Sequence, residues 1–210
     1  MILEQRGSTC GIYACINGLL QQTTVEEEHI HAEVAKLVSQ NSFLTLDSDA
    51  TTLLGEFFDI ALFQQFLKNN ERELCTLLRI NDLQVRTVPF GEFNDATFYI
   101  VPGIRPRKWY ESKKNAILHW VTVMPDFRVF NSAYATEEVM TRGALRHFHE
   151  ALDGLSFSWK RWRRKNNIGI HDELIDVPSS RQLAKLALQQ PNFQMDIPFQ
   201  TGHMLAVWAH

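Results

Sequence analysis

Four side chains far apart in this chain could together cleave an amide bond. Cys10 lies in "GSTCGIYACINGLLQQ", just ahead of apolar residues at helical spacing (Ile12, Cys15, Ile16, Leu19, Leu20), so it falls in the first turn of a helix. There the helix dipole and unpaired backbone N–H groups favour thiolate, the nucleophilic form of cysteine. His119, in "LHWVTV", sits inside a β-rich run, an unusual place for an imidazole unless it faces a site. It could take the thiol proton, and Asn131, which ends the next such run in "VFNS", could accept a hydrogen bond from its far nitrogen. Gln5, five positions before Cys10, can turn its amide NH2 back beside the Cys10 backbone N–H and form a two-donor oxyanion hole. Cysteine is also a frequently buried small hydrophobe. Cys15 and Cys75, mid-helix on apolar stripes, suit that plainer role, whereas Cys10 has the partners a thiol hydrolase requires.

Two kinds of element must position these residues. The first half of the chain is helical. A helix begins near Cys10, capped by Ser8 or Thr9, and a second spans about Val25 to Ser39 with Thr24 and Glu27 forming a capping box. Ile30, Val34, Leu37 and Val38 make the second helix's buried stripe. After a linker at 39–56 come helices over "DIALFQQFLKNN" and "ERELCTLLRI". Past residue 82 the pattern turns to strands: "LQVRTVPF", "ATFYIVPG", "ILHWVTVM" and "FRVFNSA". Pro125 and Asp126 suit the central positions of a tight turn, so the last two runs pair as a hairpin with His119 and Asn131 on neighbouring strands. A helix from Glu137 to about Leu152, another from Ser180 to Gln189, and a final strand "GHMLAVWAH" complete the reading.

The motifs "EQRGSTC", the helix ending "LLQ", "HWVTV" and "FNS" resemble those of papain-like cysteine peptidases, most closely the Josephin-type deubiquitinases. Gly11 after the cysteine, where that family usually carries Ala, is closer to the leader peptidases of bacteriocin exporters. The resemblance covers roughly residues 3–135 and implies an α+β papain-like fold, a helical lobe packed on an antiparallel sheet. Residues 1–210 would form one catalytic domain, with 150–210 a C-terminal extension that ends in a closing strand. It further implies a Cys10–His119–Asn131 triad with Gln5 at the oxyanion hole. Trp120 would shield the His119–Asn131 bond or contact substrate, or else pack as an ordinary strand aromatic. The expected activity is hydrolysis of an amide or isopeptide bond in a protein or peptide, with ubiquitin the family's substrate. A protein-glutamine deamidase or acyltransferase with the same triad, an N-terminal leader peptidase, and an inactive binding module are the alternatives. The triad calls for no metal and no cofactor. With Gln5 so near residue 1, no inhibitory segment is expected ahead of it, and regulation would come from a partner.

Composition sets the outer bounds. In 210 residues, 45% hydrophobic and 21% charged, ordinary apolar packing can supply the core of a single domain. No window approaches the roughly 18 apolar residues of a membrane span. Three cysteines without zinc-ligand spacing, and no signal sequence, point to a reducing compartment such as a cytosol, or a host cytosol for a delivered effector. The net charge of −3 gives no general attraction to nucleic acid, so "KRWRRK" (Lys160–Lys165), flanked by Trp159 and containing Trp162, is the one stretch suited to nucleic acid or an acidic partner; a solvated surface is its plainer reading. The pairs His29/His31 and His147/His149 have metal-like spacing, but on helices i and i+2 point apart. "HDE" at 171–173 reads as surface.

Overall fold

The computed structural model describes residues 1–21, 25–42, 51–52, 55–104, 118–158 and 196–210. Helix α1 (Cys10–Leu19) is apolar nearly all round, and every residue from Gly11 to Leu19 is buried, as a helix with no polar face must be. Helices α2 (Glu27–Gln40), α3 (Ile60–Asn69) and α4 (Glu71–Leu78) are amphipathic and pack their apolar stripes around it. The stripe of α2 is Ile30, Val34, Leu37 and Val38, joined by His31. Its start differs from the expected capping box: the N-cap position is Glu26, and no side chain caps it. In α3, Asp59 accepts from the Ala61 and Leu62 N–H groups at 2.7 and 3.0 Å, which fixes the helix start.

Six strands form one antiparallel sheet: β1 (Leu83–Pro89), β2 (Phe98–Ile104), β3 (Leu118–Val123), β4 (Arg128–Asn131), β5 (Thr136–Val139) and β8 (His203–Ala209). Their order is β1-β8-β2-β3-β4-β5. Strand β8 therefore lies inside the sheet, between β1 and β2, so the chain's last strand is part of the frame that carries β3. Strands β6 (Ser156–Ser158) and β7 (Asp196–Pro198) form a separate pair, from which Phe157 stacks on Phe58 at 3.9 Å.

The sheet has two packed faces. Leu118 and Trp120 of β3 join the helical core, while Val121 and Val123 join a second cluster with Tyr99, Val101, Met204 and Leu145. Helix α5 (Arg142–Glu150) covers that second side. The helix expected from Glu137 starts only at Arg142, capped by Thr141, because residues 136–139 pair with β4 as an exposed edge strand. Helix α1 lies very close to the sheet: a Cβ on Gly18 would fall 2.5 Å from the Phe98 ring, so only glycine fits there. The helix expected at Ser180–Gln189, the basic "KRWRRK" run and "HDE" lie outside the described residues. Among the described residues, no helix is long and apolar enough to cross a membrane.

Candidate active site

The site forms where the β3–β4 ladder opens. The hairpin turn is as expected: Phe127 N–H donates to the Met124 carbonyl at 2.9 Å across Pro125 and Asp126, and Phe127 takes up a left-handed φ of 64°. Met124 N–H donates to the Arg128 carbonyl at 2.8 Å. The alternation of an antiparallel ladder then makes Thr122–Phe130 the next hydrogen-bonded pair, and Trp120–Ser132 the one after. Pairing stops at Thr122–Phe130. The Ser132 carbonyl, which a continued ladder would present to Trp120, instead accepts the Gln5 N–H at 2.9 Å. The Trp120 backbone N–H is directed to the Cys10 thiol. The thiol thus meets β3 one residue from His119, and Gln5 meets the chain one residue from Asn131.

His119 and Asn131, both buried, are joined across the opening. Asn131 Oδ1 accepts from His119 Nε2 at 2.8 Å and from the Ala133 N–H at 3.0 Å. The second bond fixes which amide atom is the oxygen, so the imidazole proton is on Nε2 and Nδ1 is the basic nitrogen.

Gln5 is held by three bonds. Besides its N–H bond to Ser132, its Oε1 accepts from Ser132 Oγ at 3.0 Å, and its Nε2 donates one hydrogen to the Gly7 carbonyl at 3.0 Å. An amide NH2 has a second hydrogen to offer. The strand-like segment leading to Gln5 is anchored on α1, where the buried Asn17 accepts from Leu3 N–H at 2.7 Å and donates to the Leu3 carbonyl at 3.1 Å. Sequence reasoning left Ser132 and Asn17 without a role. The serine beside Asn131 and a buried asparagine two turns from Cys10 were the available signals.

Two expectations need correction. Thr9 occupies the N-cap position of α1 but does not cap it, since its hydroxyl donates to the Arg6 carbonyl. The first-turn N–H groups of Cys10 and Gly11 are consequently available to the sulfur. Even so, the thiol is not acidified overall: burial pushes it up to about 11, and the N–H groups of Trp120, Gly11 and Cys10 oppose that rise only in part. Burial thus outweighs the pull of the helix start toward thiolate. Trp120 is 2% exposed, with its indole N–H on the Phe57 carbonyl at 2.9 Å and its ring edge-on to Phe63, which is the packing of an ordinary strand aromatic, one of the readings open to it.

Of the other cysteines, Cys15 is fully buried, but Cys75 is half-buried and lines a polar concavity with Arg72 and Arg79. One histidine of each pair is bonded within the protein: His31 bonds Tyr13 and Glu27, and His149 bonds the backbone of Pro102 and Gly202. Comparison with family models, curated proteins and solved structures finds no match to this chain.

Proposed function

We propose that this protein is a cysteine-dependent amide or isopeptide hydrolase of papain-like design. The observation that carries the reading is the His119–Asn131 bond of 2.8 Å at an opened ladder whose next N–H reaches the Cys10 thiol. In this mechanism His119 Nδ1 takes the thiol proton as sulfur attacks the carbonyl, which suits a thiol too basic to ionise alone. The oxyanion develops beside the Cys10 N–H and the second Nε2 hydrogen of Gln5. The imidazolium then protonates the leaving amine, and the neutral ring next activates water to release the acyl group and restore the thiol. Asn131 keeps the ring in one tautomer throughout.

The motif resemblance makes a ubiquitin-type C-terminus the first substrate to try. The test is a ubiquitin probe ending in an electrophile, followed by mass mapping. Covalent labelling of Cys10, lost in His119→Ala, is the expected result. A probe that leaves Cys10 untouched, together with failure of peptide amides to be cleaved, would remove the hydrolase reading.

A further inference from the structure

The two edges of the six-stranded sheet are finished differently. At β1 the helix α3 is fastened to the strand: Gln64 Nε2 donates to the Val85 carbonyl at 3.0 Å, and Gln64 Oε1 accepts from the Thr87 hydroxyl at 2.8 Å. At β5 every residue from Thr136 to Val139 is exposed. Met140 N–H donates to the Phe127 carbonyl at 3.1 Å. In the register that follows, Val129–Glu138 and Asn131–Thr136 are the next hydrogen-bonded pairs, so the N–H and C=O groups of Glu137 and Val139 point away from β4 into solvent. Among the described residues, no further backbone group bonds them. Of the large apolar side chains exposed among the described residues, Met1, Tyr134 and Val139, two bracket this edge: Tyr134, 52% exposed, just before β5 and Val139, 76% exposed, at its end.

The edge is also acidic. Glu137 is engaged by Arg128 at 3.5 Å, although Arg128 makes its closer bond, 2.7 Å, to Asp126. Arg142, the next cation along the chain, lies over the Phe127 ring at 5.2 Å. Glu138 is on the opposite face of the strand from Glu137, and no ion pair engages it among the described residues. An open row of main-chain donors and acceptors accepts an extended chain as a further strand. A second copy of this chain suits the edge poorly, because antiparallel self-pairing centred on β5 would set Glu137 against Glu137 or Glu138 against Glu138. A strand with a cation opposite Glu138 suits it.

We propose that β5 is a docking edge for a partner protein, which adds an extended segment carrying lysine or arginine opposite Glu138 and an apolar residue against Val139. That segment would be separated from Asn131 by β5 alone, since Asn131 pairs with Thr136. The inference uses neither Cys10 nor His119 and stands apart from the hydrolase reading.

The test titrates two short synthetic peptides, one alternating lysine with valine and one alternating glutamate with valine, into the isotope-labelled full chain and follows the amides by NMR. In the register that sets lysine against Glu138, valine meets Val139. The lysine peptide should shift the Glu137 and Val139 amides and slow their hydrogen exchange. It should bind at least about fivefold more tightly than the glutamate peptide, by a margin that added salt reduces. Val139→Pro removes an outward N–H and spares the ladder to β4, the setting in which an edge strand tolerates proline; it should abolish binding while the β4 resonances stay in place. Glu138→Lys leaves every main-chain group intact and should reverse the preference between the peptides. The proposal is overturned if neither peptide moves the β5 amides at millimolar concentration, or if the glutamate peptide binds as well as the lysine peptide. It is equally overturned if folded Val139→Pro binds as the parent does, or if Glu138→Lys leaves the preference unchanged. Protection of the Glu137 and Val139 amides without peptide, rising with protein concentration, would assign the edge to a second copy and overturn it too.

Discussion

His119 on β3 and His149 on α5 are buried to almost the same degree, 3% and 1% exposed, but their partners differ in kind. His149 donates from Nδ1 to the Pro102 carbonyl at 2.9 Å, accepts the Gly202 N–H on Nε2 at 2.8 Å, and stacks on Phe90 at 4.2 Å. The main chain engages both nitrogens, and the ring must stay neutral to keep both bonds. It ties α5 to β2 and to the turn before β8. His119 Nε2 donates to a side-chain amide whose oxygen is itself fixed, and the next residue on its strand meets a thiol. His31, bonded to Tyr13 and to Glu27 at 3.1 Å, resembles His149 in joining one element to another. Burial of an imidazole is thus no sign of chemistry by itself; what sets His119 apart is the thiol beside its strand and the amide that bonds its ring.

Removing each ring is the strongest way to break this contrast. His119→Ala should lower turnover of a cleavable amide by about 10⁴-fold or more, as should Cys10→Ala, and the double variant should lose little further because residues of one catalytic unit are strongly non-additive. His149→Ala should leave kcat/KM of the folded enzyme close to wild type while lowering the thermal midpoint. The carbonyl of the buried Pro102 would then lack this partner, at roughly 1–3 kcal/mol, whereas the N–H of the exposed Gly202 can turn to water. Equal loss of turnover in the two histidine variants, at equal folded fraction, would erase the distinction.

Gln5→Ala sharpens the comparison by testing the opened ladder without touching a proton carrier. It should cut kcat by about 10²–10³, the loss typical of one oxyanion donor, with little change in stability. An unchanged kcat would leave Gln5 as an anchor for the N-terminal segment and nothing more.

The smallest effect separates the histidines by pH. Burial lowers the pKa of His149 below its ordinary 6.5. Unfolded, this residue takes up a proton as pH falls through about 6.5, whereas the folded protein resists until lower pH. Its stabilising contribution is therefore complete above 6.5 and is lost as pH falls below it, with a slope of at most about 1.4 kcal/mol per pH unit. Denaturant titrations between pH 5 and 7, in wild type and His149→Ala, should show that slope only in the wild type. A slope that survives the substitution belongs to another group.

How much of this was legible beforehand depended on whether the signal was local. The start of α1 at Cys10, the α2 stripe and the turn at Pro125–Asp126 each follow from a few consecutive residues, and each appears in the fold. The placement of His119 and Asn131 on paired strands followed from that turn alone. The segment 39–56, by contrast, read only as a linker, and nothing in its composition marked Gly55 as a neighbour of Thr9 at the start of α1. Residues 136–139 read as the start of a helix because their pairing with β4 is not written in their own periodicity.

By itself, then, the sequence determined most of the helix and strand pattern, where the hairpin turns, and which side chains carry the groups that the proposed chemistry would use, because propensity, periodicity and functional-group chemistry belong to short stretches of chain. Only the tertiary structure decided that β8 enters the sheet between β1 and β2, that the β3–β4 ladder stops where Gln5 takes the Ser132 carbonyl, and that Trp120 turns into the core. It also decided the acidity of the Cys10 thiol. A helix start favours thiolate, but the desolvation imposed by distant segments packed around Cys10 outweighs it, and that sum exists only once those segments have come together.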